Sequence, residues 1–227
     1  KGLNRYDARA KIVDDLKALG LLEKVEPHAH RVGRGYRSKA VIEPRLSKQW
    51  FVKIAPLAEI ALKAVASGDI KIHPSSPWTD IYTQWMTNVR DWCISRQLWW
   101  GHRIPIWYRV DDPSVMICHD GDGEPDQVRA EPGQWRQDND VLDTWFSSAL
   151  WPASTLGWPN VDAADFKKWY PTSVLVTGPD ILFFWVARMV MFGCALAGGK
   201  PFNDVYMHSM IFGKSYYARH GGDLKLI

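Results

Sequence analysis

The residues best placed for chemistry follow a short apolar run late in the chain. Residues 174–176 predict a buried parallel strand, the turn at 177–179 ends it, and Asp180 begins a helix that is predicted to run to about residue 197. In open α/β sheets, ligands bind at the carboxyl ends of strands, where the amides of helix N-termini point outwards. The pattern therefore predicts an α/β fold that binds a ligand at this turn. Asp180 has a second interpretation, as a plain N-cap of the helix.

Two other stretches have residue types that are typical of ligand-binding loops, but their spacing does not match the known motifs. The Asp- and Gly-rich stretch at 120–126 does not match a calcium-binding loop, and the Gly-Lys-Ser triplet at 213–215 lacks the upstream glycine of a phosphate loop. Cys93, Cys118 and Cys194 are scattered and form no C-x-x-C motif. The sequence therefore predicts neither a zinc knuckle nor a disulfide framework, and it favours a reducing cytoplasm.

The composition is that of a folded globular protein. The chain has 227 residues, 46% of them apolar, with 28 Lys and Arg against 25 Asp and Glu, so its formal net charge is +3. The apolar content excludes a disordered tail, the 17 glycines and 14 prolines are too few for a collagen-like chain, and three cysteines are too few for a disulfide-stapled secreted domain. The charge permits binding to RNA but does not require it. The 13 tryptophans imply either a large core or a pocket lined by aromatic rings.

Hydrophobic periodicity and turn residues predict the elements that precede the late strand. These are a surface helix over 7–19 closed by Gly20, a strand at 40–42, a helix over 56–66 followed by Gly68, a helix over 76–92, and a solvent-facing inserted segment over 108–140. Helices and strands thus alternate along the chain, as expected of an α/β protein.

Two apolar patterns predict buried helix faces. Trp78, Trp85 and Trp92 recur every seven residues on the helix over 76–92, which favours a stripe facing the core over a surface that stacks on a ligand. The apolar run 181–197 contains Arg188 and is shorter than a membrane span, so it predicts a buried helix.

Three long stretches carry a resemblance to a known family. They read DWCISRQLWWGHRIPIWY at 91–108, DTWFSSALWPASTLGWP at 143–159 and VLVTGPDILFFWVARM at 174–189, and they are preceded by EPRLSKQWFVK at 43–53. In this order they resemble the class I aminoacyl-tRNA synthetases and, within that class, the valyl-tRNA synthetases. The double tryptophan before Gly101 and His102 favours the valine enzymes over their isoleucine and leucine relatives.

The resemblance implies a fold and a domain organisation. It predicts an α/β protein, the second half of a Rossmann-like class I synthetase catalytic domain with the return segment of an editing insertion. Residues 1–75 are expected to hold the end of that insertion and its return segment. Residues 76–227 are expected to hold the second half of the catalytic domain, with a small insertion at about 108–140.

The resemblance also implies an activity. Valine and ATP would form valyl-adenylate and pyrophosphate, and the valyl group would pass to tRNA(Val). The resemblance implies ATP as a substrate together with Mg²⁺, and valine and tRNA(Val) as partners. It also implies a cytoplasmic monomer that does not bind a membrane. The family clamps phosphates with HIGH-like and KMSKS-like motifs, and neither occurs in this chain. We therefore assign no catalytic residue and expect this chain alone to be inactive.

Three residues are assigned by the resemblance to the nucleotide. Gly178 and Asp180 match a G-x-D element, in which the glycine allows close backbone approach and the carboxylate accepts hydrogen bonds from ribose hydroxyls. His208 matches a histidine that approaches the nucleotide at the end of the strand before the KMSKS loop. A structural histidine is the other interpretation of His208.

Three further residues, Trp145, Ile181 and Trp185, are assigned by the resemblance to the valine pocket. Ile181 and Trp185 are four positions apart on the predicted helix, so they share a face. Taken without the resemblance, each of the three is a core residue. An apolar wall of this kind excludes isoleucine by size but cannot strongly reject threonine, which explains why the family edits. The editing residues are expected upstream of Lys1.

Two departures from the family pattern qualify these expectations. Gly35 and Ser38 stand where many bacterial members have a pair of zinc-binding cysteines, so no zinc is expected. Residues 211–227 stand where the family usually continues into the KMSKS loop, and they predict an inserted strand pair or hairpin. Three alternatives remain: another branched-chain class I synthetase, a non-catalytic RNA-binding or interaction module derived from one, and a Trp-rich sugar-binding module.

Overall fold

A computed structural model describes most of the chain. It covers residues 2–36, 38–119, 121, 123–210, 217–220 and 223–226, and for the last two ranges it describes the backbone alone. The chain divides into two compact units, Lys1–Ser47 and Lys48–Ile227.

The first unit begins with the predicted surface helix, α1 (Arg5–Ala18). The Asn4 side chain caps its start, and Gly20 ends it in the left-handed conformation at φ +67°. The amide of Leu21 then donates to the carbonyl of Leu16 at 2.9 Å, which together with the glycine makes a Schellman motif. The helix and its glycine stop are confirmed, although no residue of α1 is buried.

The strand expected at 40–42 is wrong. Only an isolated antiparallel bridge joins Arg34 to Val41, flanked by hydrogen bonds from the Gly35 amide to the Ala40 carbonyl and from the Ile42 amide to the Gly33 carbonyl. The segment is a narrow turn with too little pairing for a strand.

The second unit alternates helices and strands. They are β1 (Phe51–Val52), α2 (Ala55–Ala66), β2 (Lys71–His73), α3 (Ser75–Thr87), β3 (Trp92–Cys93), β4 (Ser95–Arg96), β5 (Ile106–Arg109), β6 (Met116–Cys118), α4 (Asp126–Ala130), β7 (Trp135–Gln137), β8 (Val141–Leu142), α5 (Thr144–Ser148), α6 (Trp151–Ser154), α7 (Ala164–Trp169), β9 (Thr172–Thr177), a 3₁₀ turn (Pro179–Ile181), a π-helical segment (Leu182–Ala187), α8 (Arg188–Leu196), β10 (Phe202–Met207), β11 (Tyr217–His220) and β12 (Asp223–Leu226).

A parallel sheet in the order β2-β10-β9 organises this unit. The central strand β10 buries Phe202 and Val205 completely, and they join a core to which α2, α3 and α8 also contribute. The parallel strand predicted at 174–176 is confirmed as β9. The prediction that this strand is fully buried is wrong, because Leu175 is buried while Val176, on the other face, is 63% exposed.

The helix predicted over 56–66 is confirmed as α2. Pro56 lies in its first turn, where a missing N–H costs nothing, and Gly68 follows its end at φ +81°. The residues that it buries are Ala58, Ala61 and Val65.

The prediction that the three tryptophans form one helix face towards the core is wrong. The helix α3 ends at Thr87 and buries Tyr82 and Met86, whereas Trp85 is 46% exposed. Trp78 does pack against the core, and Trp92 is buried in it, but Trp92 lies on the strand β3. A regular seven-residue spacing here crosses from a helix into a strand, so it does not define one face.

Two β substructures account for the predicted insertions. The segment predicted at 108–140 contains most of an antiparallel sheet in the order β6-β5-β7, whose strand β5 begins two residues earlier, at Ile106. The helix α4 lies between β6 and β7 in sequence, and most of the described residues at 108–140 are exposed. The hairpin predicted in 211–227 is confirmed by the antiparallel pairing of β11 with β12. The triplet at 213–215 lies outside the described residues.

The long apolar helix is confirmed in position but not in form. The stretch Pro179–Leu196 changes from a 3₁₀ turn to a π-helical segment and then to α8. It is long and apolar enough to span a membrane by length and composition, a test that core helices also pass, and half of it is buried inside the protein. Val186, Ala187 and Met189 lie in the core.

Truncating the central strand should destabilise this unit. We expect Phe202→Ala to lower the free energy of unfolding by about 3–5 kcal/mol, because it removes a fully buried ring and leaves a cavity. Val176→Ala, on the exposed face of β9, should cost about 1 kcal/mol or less. Urea unfolding followed by tryptophan fluorescence measures both, and equal losses would contradict the assigned core.

Candidate functional site

The first group of site residues lies where two parallel strands end together. Thr177, the last residue of β9, is paired with Met207, the last residue of β10. The next residues are Gly178 and His208, and the His208 amide donates to the Thr177 carbonyl at 3.1 Å. This bond continues the ladder by one residue, so Gly178 and His208 are neighbours at the carboxyl edge of the sheet.

Gly178 lets the Asp180 carboxylate lie close to the backbone at this edge. A Cβ atom there would lie 2.6 Å from Oδ1 of Asp180 and 3.5 Å from Cε1 of His208. The φ of Gly178, −82°, is open to any residue, so a side chain at this position would act by displacing the Asp180 carboxylate from its present place. The structure thus brings together the three residues assigned to the nucleotide.

The exposed groups of this cluster are free to meet a ligand. Gly178 takes the N-cap position of the 3₁₀ turn, so the interpretation of Asp180 as an N-cap is wrong, and Asp180 is an exposed residue of the first turn. The Nδ1 atom of His208 lies 2.9 Å from the Ser209 carbonyl oxygen. Because a carbonyl only accepts, Nδ1 carries the hydrogen, and Nε2 of the neutral ring can accept one.

Thr177 is a feature of this edge that the sequence did not single out. Its side chain is buried, and among the described residues its hydroxyl oxygen has no hydrogen-bond partner. Buried hydroxyls without partners are unusual and often lie at functional sites.

The second group of site residues surrounds Trp185. Its ring borders two clefts of about 440 and 260 Å³, and its indole N–H donates to the Ser148 carbonyl at 2.9 Å. Trp151 borders the same clefts, and its ring centroid lies 5.5 Å from that of Trp185. This contact could not be predicted from the sequence, because Trp151 and Trp185 are 34 positions apart and no periodicity connects them.

Trp145 and Ile181 line neither of these clefts. The Trp145 ring stacks on Phe184 with their centroids 6.0 Å apart. Ile181 is half-buried at the end of the 3₁₀ turn. Their assignment to a valine pocket, with that of Trp185, stays a prediction. The π-helical segment that holds Trp185 is a conformation often found at functional sites.

A buried charged cluster lies beside these rings. Asp143 is 5% exposed, and its carboxylate accepts from the Trp145 amide and the Trp92 indole, each at 3.0 Å, and from the Arg96 guanidinium. Arg188 stacks its guanidinium over the Trp92 ring at 3.9 Å. Burial lowers the pKa of Arg188 to about 10, although the negative charge of Asp143 opposes the shift.

Metal ligation has no support in the described part of the chain. There, no group of three or more His, Cys, Asp or Glu side chains is placed to hold an ion. Gly35 and Ser38 face each other across the narrow turn of the first unit, and neither offers a thiolate. The expectation of no zinc stays a prediction.

The chain belongs to a known family. It matches the family described as tRNA synthetases class I (I, L, M and V) over residues 15–215, which confirms the class predicted from the motifs. Two solved structures of methionyl-tRNA synthetase from Mycobacterium tuberculosis share the fold at 15% identity. The apo form gives a TM-score of 0.53 and covers 78% of this chain and 30% of that one. The complex with methionyl-adenylate gives a TM-score of 0.50 and covers 78% of this chain and 29% of that one.

Two relatives that are similar to this chain in sequence are valine–tRNA ligases. A valine–tRNA ligase from Chlamydia felis is 58% identical over 215 residues, which is 95% of this chain and 23% of the relative. Another from Protochlamydia amoebophila is 55% identical over 226 residues, 99% of this chain and 24% of the relative. The chain therefore spans about a quarter of the length of these relatives.

Proposed function

We propose that this chain is a segment of a longer valine–tRNA ligase, which activates valine with ATP and transfers it to tRNA(Val). The observation that carries the proposal is the identity of 55–58% to valine–tRNA ligases along almost the whole chain. The identity to methionyl-tRNA synthetase, another member of the class, is only 15%. The rival specificity, another branched-chain amino acid, has no comparable support.

In this proposal the segment supplies binding surfaces. The cluster of Gly178, Asp180 and His208 contacts the adenosine, with the carboxylate accepting from the ribose hydroxyls and Nε2 of the histidine free to accept. Trp145, Ile181 and Trp185 form the wall that meets the valine side chain. Adenylate formation needs the carboxylate of valine held in line with the α-phosphate of ATP, so fixed binding surfaces contribute directly to the rate.

The remaining parts of the proposal follow from the resemblance. Residues 76–227 would form the second half of a Rossmann-like catalytic domain, with a smaller insertion at about 108–140. Residues 1–75 would hold the end of an editing insertion and its return segment. The strand β2 pairs with β10, so this return segment would supply one strand of the sheet. Mg²⁺ would accompany ATP, whose phosphate oxygens suit it as ligands. The enzyme would be a cytoplasmic monomer that needs no membrane and no zinc.

The isolated chain should not form the adenylate. We expect no valine-dependent exchange of pyrophosphate into ATP by residues 1–227, because the HIGH-like and KMSKS-like phosphate-binding motifs are absent from this sequence. The full-length protein that contains the chain should catalyse this exchange. Exchange by the isolated chain near the full-length rate would refute the segment proposal, and no exchange by the full-length protein would favour a non-catalytic module.

Filling the space at Gly178 should weaken ATP binding. In the full-length protein we expect Gly178→Ala to raise KM for ATP by roughly tenfold, because the new Cβ displaces the Asp180 carboxylate and a hydrogen bond to a charged group is lost. Gly199→Ala is the matched control, since a Cβ there meets no atom within 4 Å. Exchange kinetics at varied ATP decide the question, and equal KM values in the two variants would count against the nucleotide site.

Removing the Trp185 ring should relax selection by size. We expect Trp185→Ala to lower the ratio of valine to isoleucine activation by about tenfold or more, since one methylene in an apolar pocket is worth about 1–3 kcal/mol. Trp169→Ala, which removes an exposed ring outside the clefts that Trp185 borders, should leave the ratio unchanged. An unchanged ratio in the Trp185 variant would exclude this ring from the pocket.

A further inference from the structure

Asp143 holds the helix that connects the two tryptophans assigned to the valine wall. Its carboxylate caps α5 by accepting from the Trp145 amide, and its carbonyl accepts from the Phe146 amide at 2.8 Å. At the other end of α5, the Ser148 carbonyl accepts the Trp185 indole N–H at 2.9 Å. One short helix therefore carries Trp145 and receives the hydrogen bond of Trp185.

The helix α5 cannot fix its own orientation. It has five residues, and a helix of that length is not stable in water without tertiary contacts. Its cap is anchored from outside by Trp92 on β3 and Arg96 on β4, which both donate to Oδ2 of Asp143. The Asp143 amide also donates to the Ile94 carbonyl at 2.7 Å, so the backbone is tied to the same region.

We propose that Asp143 is a positioning residue for valine selection, which fixes α5 and with it the Trp145 and Trp185 rings. This inference rests on the proposed function and deepens it. Asp143 does not border the clefts beside Trp185. It therefore acts on valine selection indirectly, through the positions of the two rings. Its three carboxylate bonds join the β3–β4 segment to the wall, so the orientation of the wall depends on that segment.

The test uses the full-length protein that contains this chain. Asp143→Ser keeps a short N-cap but loses the reach to Trp92 and Arg96. Trp92→Phe removes the indole donor together with part of the buried ring over which Arg188 stacks. Asp138→Asn is the matched control. Asp138 also accepts from a tryptophan indole, that of Trp50 at 2.9 Å, and its side-chain hydrogen-bond partners all lie outside α5.

We expect Asp143→Ser to raise KM for valine about tenfold and to lower the valine to isoleucine ratio, with KM for ATP within about twofold of the parent. Trp92→Phe should show a smaller shift of the same kind, and Asp138→Asn should show neither. A merely structural role would lower the melting temperature and affect both substrates alike. Equal shifts for valine and ATP, or valine kinetics that match the Asp138 variant, would overturn the inference.

Hydrogen exchange gives a readout that does not depend on the reaction. Amides at 144–148 should exchange faster in Asp143→Ser than in the parent or in Asp138→Asn, because the anchor of α5 is lost. Unchanged exchange there would overturn the positioning role even if catalysis changed. If the parent enzyme failed to activate valine, the proposed function would fall, and exchange at 144–148 would still decide whether Asp143 holds the helix.

Discussion

The candidate nucleotide edge depends on the register of β10 between its two parallel neighbours. Val205 and Met207 alternate on one buried face of β10, and a slip by one residue would turn them to the other face, where Tyr206 is exposed. The same register sets Thr177 beside Met207, and thus Gly178 beside His208. Core burial and site assembly are therefore enforced by one set of backbone hydrogen bonds, which explains how exposed residues can be placed accurately.

The aromatic wall has a different kind of support. The chain changes from a 3₁₀ turn to a π-helical segment as it passes the wall, so helical regularity cannot place the rings, and specific hydrogen bonds do so instead. A buried carboxylate and two arginines are costly unless they are well paired. The pairing of Asp143 with Arg96, and the stacking of Arg188 on Trp92, meet that requirement.

Local signals in the sequence were sufficient to predict α1, α2 and β9, because the residues that begin, end and pattern each element lie within or next to it in the chain. The glycine stops at Gly20 and Gly68 are of this kind. Motif context grouped Gly178, Asp180 and His208 correctly. The Asp143 cluster could not be predicted, since its partner Trp92 is 51 positions away and no periodicity connects them. The tryptophan stripe failed because spacing alone does not show where α3 ends.

The chemistry of the wall also limits what it can distinguish. The one polar atom of the Trp185 side chain, its indole nitrogen, is already bonded to the Ser148 carbonyl, so the ring presents an apolar surface. Under the proposed function, that surface senses size: it can exclude a longer side chain but cannot detect a hydroxyl that replaces a methyl group. Under that proposal, discrimination against threonine has to come from elsewhere in the longer enzyme, and the editing insertion that the resemblance implies would supply it.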